Sequence, residues 1–215
     1  DITYQEKPLG KVEIAEISFN SLDASLFNIT SVDSMTSIPM RLIAKGQLVD
    51  TANFEISVFF DTQDPKDKFA FTGQVDSLQL TALNKLLRPV GGLIIKDGFA
   101  ERIWFNIEAN NEIATGKMIF RYDNLKVQIL NPETNDLHGL SQGIKTFMAN
   151  AFVLKHKNPK TLFLRPGKIF YERDSSRAIL NYWGKALLSG AASSVGIHKS
   201  SKAEKRYKRE AKDRG

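Results

Sequence analysis

The stretch FAFTGQVDSLQLTALNKLLRP, residues 69–89, passes from the spacing of a strand to the spacing of a helix. Phe69, Phe71 and Val75 occupy alternate positions, which is typical of one face of a strand. Leucines then recur at intervals of three and four residues, which is typical of a helix. No side chain here belongs to a nucleophile, metal-ligand or phosphate-binding pattern. The stretch therefore predicts ordered structure without catalytic chemistry.

Alternation of apolar and polar residues continues on both sides of this stretch. TANFEISVFF alternates over residues 51–60 and IATGKMIFRY over residues 113–122, after which Asp123 and Asn124 break the register. GFAERIWFNIEAN places Phe99 on the same face as the apolar residues that follow it. Short connections favour antiparallel pairing, and one-sided alternation favours one apolar and one wet face. We predict a long antiparallel sheet, in a mainly β α+β protein, with an apolar face that needs a cover.

Three segments have helical spacing. A short helix is predicted over residues 82–87, with Thr81 as N-cap and an end before Pro89. A longer amphipathic helix is predicted over residues 136–153 and another over residues 175–196. Together with the strands they form a single predicted domain over residues 1–196.

The last of these helices has the length of a membrane span but carries too many polar residues for one. Asp174 or Ser175 is its expected N-cap, and we expect the helix to pack on the sheet. The alternative is a helix on a membrane surface, where Tyr182 and Trp183 would lie at the interface.

Positive charge is concentrated at the end of the chain. Residues 199–215 hold eight Lys or Arg and three Asp or Glu, a net of +5 out of +6, which leaves 22 basic against 21 acidic residues elsewhere. A nearly neutral body argues against a nucleic-acid partner. We predict a disordered basic tail over residues 197–215, with contact to anionic lipid headgroups as the alternative. The absence of cysteine excludes disulfide scaffolds and thiol catalysis.

One catalytic motif matches the sequence in residue types but not in structural context. GLSQG, residues 139–143, fits the G-x-S-x-G elbow around Ser141, and a triad in the expected order would need Asp174 and His198. The preceding NPETNDLH has the composition of a turn, whereas the elbow requires a buried strand there. The three histidines share no metal-ligand spacing. We predict a protein that is not an enzyme and has neither a metal site nor a cofactor.

Three stretches resemble one family. They are LTALNKLLRP, then IIKDGFAERIWFNIEANNEIATGKMIFRYDNLKVQIL, and finally RPGKIFYERDSSRAILNYWGKALLSGAASSVG, which together lie within residues 69–196. Their sequences resemble the C-terminal region of AsmA-like (AsmA/TamB-type) bacterial envelope proteins, in the form common in Bacteroidetes.

The resemblance implies a curved sheet that forms a groove or half-barrel, with the short helix capping one end. It also implies a periplasmic location, in a protein anchored to the inner membrane by a segment absent from this chain. The implied function is phospholipid transport and outer-membrane biogenesis, with a phospholipid or other acyl lipid as partner. The basic tail has no counterpart in the family.

On this interpretation the apolar face holds acyl chains. The predicted lipid-binding residues are Phe69, Phe71, Val75, Ile103, Phe105, Ile107, Met118, Phe120 and Tyr122. The alternative is a protein-interaction module without a bound lipid, which would help outer-membrane proteins assemble through exposed strand edges. A dry interior filled by side chains would favour this alternative.

Overall fold

The computed structural model describes residues 1–8, 12–30, 38–130, 156–159, 163–196 and 202–213. Within them the strands are β1 (Ile2–Glu6), β2 (Ala15–Phe27), β3 (Met40–Leu48), β4 (Ala52–Phe60), β5 (Phe69–Val75), β6 (Leu78–Gln79), β7 (Leu93–Ala109), β8 (Ile113–Ile129) and β9 (Gly167–Glu172). The helices are α1 (Asn84–Gly91), α2 (Ile179–Ser194) and α3 (Lys202–Asp213), and a 3₁₀ turn (Leu80–Leu83) precedes α1.

All nine strands belong to one antiparallel sheet. Their order is β1-β2-β3-β4-β5-β7-β8-β9, with β6 added to β7. The sheet is curved and does not close, so that β1 and β9 are its edges among the described strands. The predicted mainly β class and the long antiparallel sheet are confirmed.

Alternation along the strands decides which side chains share a face. Val58, Phe71 and Ile107 lie directly opposite one another on β4, β5 and β7, and all three are buried. Residues paired in this way project to the same side of a sheet. We call the side that carries these three residues the apolar face and the other side the outer face.

Two register breaks show what local alternation predicts and what it misses. The predicted break at Asp123–Asn124 is confirmed, since Asn124 has a φ of 51°. The expectation that Phe99 lies on the apolar face is wrong, because Phe99 is 43% exposed and Ala100 is buried instead. The ladder between β7 and β8 shifts register on both sides of Phe99, between Asp97 and Phe99 and again before Arg102. Each shift changes which residues point to a given side.

The predicted short helix is present, but its ends differ from the prediction. Thr81 lies in the 3₁₀ turn and caps nothing, since the N-cap of α1 is Leu83 without a side-chain hydrogen bond. Pro89 lies inside the helix, which ends where Gly92 adopts a φ of 60°. Instead of a cap, Asn84 fixes α1 to β7 by bonding both the N–H and the C=O of Ile95 at 2.7 and 2.8 Å.

Helix α2 lies within the range predicted for a helix, residues 175–196, but it begins later and ends earlier. Asp174 accepts a hydrogen bond from the N–H of Ser176 at 3.0 Å, which makes a turn before the helix, and Ala178 is the N-cap. The helix predicted over residues 136–153 lies outside the described residues. Across the part of the chain that the structure describes, no helix combines the length and the apolar character needed to span a membrane.

The basic end of the chain is helical where we expected disorder. α3 spans Lys202–Asp213, and the side chain of Tyr207 lies 6.0 Å from that of Phe170 on β9, measured between ring centroids. Glu204 is buried and pairs with Lys168 of β9. Over Lys202–Asp213 the structure thus has a helix where disorder was predicted, because charge composition does not reveal these long-range partners.

Candidate functional site

The nine predicted lipid-binding residues lie together on or beside the apolar face. Seven of them are at most 6% exposed, and Val75 and Ile103 are partly buried against the same core. Their positions on β5, β7 and β8 explain the grouping, since these strands are neighbours in the sheet. The nine residues therefore form one cluster, and the helix that we expected to pack on the sheet is what covers part of it.

Helix α2 covers this part of the apolar face. The ring of Trp183 lies 4.9 Å from that of Phe71 and 6.1 Å from that of Phe69. Tyr182 is buried on the same side of the helix, with its ring 6.3 Å from Phe69. Phe69 and Phe71 are thus core residues under α2 in this conformation.

The backbone of α2 comes unusually close to the sheet at Gly190. A β-carbon at this position would stand 2.7 Å from the side chain of Ile169 and 3.2 Å from that of Met118. Such distances leave no room for a side chain. Gly190 therefore sets how deeply the C-terminal half of α2 lies against β8 and β9.

Two serines of α2 close the free edge of β9. The hydroxyl of Ser193 accepts a hydrogen bond from the N–H of Lys168 at 2.9 Å, and that of Ser189 accepts one from the N–H of Phe170 at 3.2 Å. Four residues of a helix rise about 6 Å and two residues of a strand about 6.6 Å, so the two spacings match. The serines that weakened the sequence pattern of this helix are therefore partners of an exposed strand edge.

Both ends of α2 are fixed by hydrogen bonds to distant segments. Near its start, Asn181 donates to the carboxylate of Glu6 on β1 at 2.9 Å. At its end, the guanidinium of Arg165 donates to the backbone carbonyl of Ser194 at 2.6 and 2.8 Å. Because β1 and β9 are opposite edges of the sheet, contact of both with one helix shows that the apolar face is the concave one.

Asn158 holds Arg165 in position. Its buried side chain donates to the carbonyls of Phe120 and Arg165 at 2.8 Å and accepts the N–H of Arg165 at 2.9 Å. Both amide hydrogens and the amide oxygen of Asn158 are therefore hydrogen-bonded, as expected of a buried amide. No local sequence signal singles out this asparagine.

Burial under α2 shifts several titratable groups. Loss of solvent raises the pKa values of Tyr122, Tyr171 and Tyr182, since the charged phenolate is the disfavoured form. Loss of solvent also lowers the pKa of Lys185 on α2, against an opposing effect of Glu6. The shifts follow from packing between helix and sheet and do not group into an acid and base pair.

The apolar face continues beyond α2 onto β2, β3 and β4. Leu26 and Leu42 are paired and continue the row of Val58, so they lie on the same face. Leu26 is 47% exposed, and Leu42 and Ile56 are only partly buried. Across the described residues, this is the part of the concave face that α2 leaves open.

Helix α1 packs against both β2 and β7. Lys85 and Arg88 form ion pairs with Glu16 and Glu13 at 3.5 and 2.9 Å. The 3₁₀ turn before α1 places Leu80 in the main core. The short helix thus bridges β2 and β7 beside the core, and its role as a cap at one end of a groove stays a prediction.

No catalytic constellation forms among the described residues. Ser141 and His198 lie outside them, as does His138, so the triad hypothesis is untested by geometry. Asp174 is engaged by Ser176, and these hydrogen bonds lower the pKa of its carboxyl. Within the described ranges, no three His, Cys, Asp or Glu side chains are grouped closely enough to hold a metal ion.

The sequence and the structure were compared with known proteins. No protein-family model, no curated protein and no solved structure matches the chain.

Proposed function

We propose that this chain is a non-enzymatic lipid-handling module of an AsmA-like envelope protein. In this proposal the concave apolar face is a groove that holds acyl chains during phospholipid transport and outer-membrane biogenesis. The module works in the periplasm, as part of a protein anchored to the inner membrane. The resemblance of residues 69–196 to that family supports the proposal.

One observation of the structure carries the proposal furthest. The concave face is apolar across neighbouring strands, yet α2 covers it only from Phe69 and Phe71 towards β9, and Leu26 on the same face is 47% exposed. An acyl chain laid along β2, β3 and β4 would remove this surface from water, at about 25 cal/mol per Å². Phe69 and Phe71, which α2 covers, would join the contact only when α2 moves away.

Lipid binding is tested by purification without detergent, native mass spectrometry and extraction of what is bound. We expect phospholipid at close to one molecule per chain. Uptake of a fluorescently labelled phosphatidylcholine then compares Leu26→Asn on the concave face with Phe59→Asn on the outer face. Phe59 is a matched control, since it lies in the same part of the sheet and is 39% exposed.

We expect Leu26→Asn to weaken uptake roughly tenfold, because it removes apolar contact with the chain. Phe59→Asn is expected to leave uptake unchanged. A protein that is purified empty and takes up no labelled lipid would contradict the proposal, as would equal effects of the two substitutions.

A second candidate function is a protein-interaction module that assists outer-membrane protein assembly. It is supported by the side-chain packing under α2 and by the outer edge of β1, which has no paired strand among the described residues. A strand of an unfolded client could add to β1 but not to β9, whose edge α2 closes. Binding of an extended outer-membrane peptide by a lipid-free protein would favour this candidate.

A further inference from the structure

Helix α3 is fixed on the outer face of the sheet by an inward carboxylate and an inward ring. Glu204 is 1% exposed and pairs with Lys168 of β9 and, at 2.8 Å, with Lys208. The ring of Tyr207 lies against Phe170, the next outward-facing residue of β9. These contacts define which side of α3 faces the sheet.

The opposite side of α3 carries a row of exposed cations. At 100° per residue, Lys202, Lys205 and Arg209 lie about 100–160° around the helix axis from Glu204. All three are exposed, and their backbones span roughly 10 Å along the axis. Residues 202–210 hold five cations and two acids, and one of these acids is the buried Glu204. The fold therefore separates the charges of the tail and presents the positive ones to solvent.

An aromatic residue lies on the same outer face. Trp104 on β7 is 40% exposed and pairs with Ile119 on β8. Lys117 lies two residues from Ile119 on β8 and is exposed. It pairs with Lys168 of β9, whose side chain contacts Glu204 of α3. With strands about 4.8 Å apart and about 6.6 Å for two residues along a strand, the backbone of Trp104 lies roughly 12 Å from that of Lys168.

We propose that this outer face, with Lys202, Lys205 and Arg209 as its charged row and Trp104 beside it, docks on the surface of an anionic phospholipid membrane. Each cation near such a surface contributes attraction to the headgroups, and tryptophan favours the boundary between headgroups and acyl chains. A nucleic acid is the less suitable partner, because the rest of the chain holds 22 basic against 21 acidic residues and offers no broad basic surface. The surface lies on the side of the sheet opposite the concave face, so this proposal does not depend on the proposed groove.

Vesicle sedimentation tests the proposal with the full chain. The vesicles contain phosphatidylcholine alone or phosphatidylcholine mixed with phosphatidylglycerol. The variant Lys202→Gln/Lys205→Gln/Arg209→Gln keeps good helix formers on α3, and circular dichroism verifies the fold. The variant Lys7→Gln/Lys68→Gln/Lys96→Gln loses the same charge at exposed positions outside α3.

We expect salt-sensitive binding to the phosphatidylglycerol vesicles alone, and affinity about a hundredfold lower for the α3 variant. The control variant is expected to lose far less. Equal loss in both variants, equal binding to neutral vesicles, or tighter binding to duplex or single-stranded DNA than to phosphatidylglycerol vesicles would overturn the proposal.

Fluorescence gives a second measurement that depends on orientation. The chain has two tryptophans, and Trp183 is packed on Phe69 and Phe71 under α2. We expect phosphatidylglycerol vesicles to shift the emission of the protein to the blue, and Trp104→Phe to abolish the shift. A shift that persists in Trp104→Phe would contradict the assignment of this face.

Discussion

At the scale of single residues, the two glycines of α2 have opposite surroundings. Gly190 faces Ile169 and Met118 at distances that exclude a β-carbon. Around Gly184, six residues earlier in the same helix, no described residue outside that stretch of helix backbone comes within 4 Å of the position where the β-carbon would lie. The same residue type is therefore required for close packing at one position and only weakens the helix at the other.

We expect Gly190→Ala to lower the free energy of unfolding by about 1–3 kcal/mol, because the added methyl group forces α2 away from the sheet. Gly184→Ala is the matched control and should raise it by up to about 1 kcal/mol through helix propensity. Urea unfolding of both variants measures the difference. The same sign of change in both would contradict the packing described for Gly190.

At the scale of elements, α2 acts both as a cover and as an edge partner. Its aromatic residues cover the apolar face, while Ser189 and Ser193 bond to N–H groups that β9 would otherwise present to solvent or to another strand. This arrangement protects the edge without a further strand. A single helix thus removes from water both the neighbouring part of the apolar face and the edge of β9.

Replacing both serines by alanine should leave the two amides without these acceptors. We expect Ser189→Ala/Ser193→Ala to lose about 1–3 kcal/mol of unfolding free energy, offset in part by the better helix propensity of alanine. Hydrogen exchange should accelerate specifically at the amides of Lys168 and Phe170. Ser77→Ala, at an exposed position outside α2, is the control. Unchanged protection of these two amides would refute the edge-closing role.

At the scale of the whole molecule, the curved sheet and α2 are held together by groups that lie far apart in the chain. Glu6 of β1 bonds Asn181, and Tyr182 on the next position donates to the carbonyl of Asn110 between β7 and β8 at 3.1 Å. Burial at this junction raises the pKa of Tyr182 and Tyr171 above the ordinary value of 10.0. The stability of the assembled fold is therefore sensitive to alkaline pH.

In the unfolded chain these tyrosines ionise near pH 10, while in the folded protein they stay protonated to higher pH. The unfolded state loses protons first, so we expect the free energy of unfolding to fall above about pH 10, by up to about 1.4 kcal/mol per pH unit for each such tyrosine. Lys185, with its lowered pKa, acts in the opposite sense as pH rises towards 10.5. Stability curves against pH measure the sum.

The variant Tyr182→Phe separates the contribution of one residue. It loses the hydrogen bond to Asn110 at every pH, so the slope of stability against pH is the informative quantity. We expect the alkaline slope to become shallower by up to about 1.4 kcal/mol per pH unit. Identical slopes in the variant and the parent protein would show that Tyr182 is not the group that resists ionisation.

Much of the local structure could be predicted because it depends on neighbours in the chain. Alternation around Phe71 predicted the strands and the face they share, and the break at Asn124 was visible as a change of register. The predicted lipid-binding residues do share one face, because a period of two residues places those of each strand on one side and burial of apolar side chains brings these sides together. Its role as a lipid site stays a prediction.

What the tertiary structure alone decided involves residues that no local period connects. The shifts that turn Phe99 outward depend on how β7 pairs with β8, and the docking of α3 depends on Glu204 meeting Lys168. The position of α2 over the apolar face likewise depends on both edges of the sheet, through Glu6 and the N–H groups of β9. The sequence by itself therefore determined which face is apolar, whereas only the assembled fold decided which part of that face α2 covers, because coverage depends on contacts between distant segments.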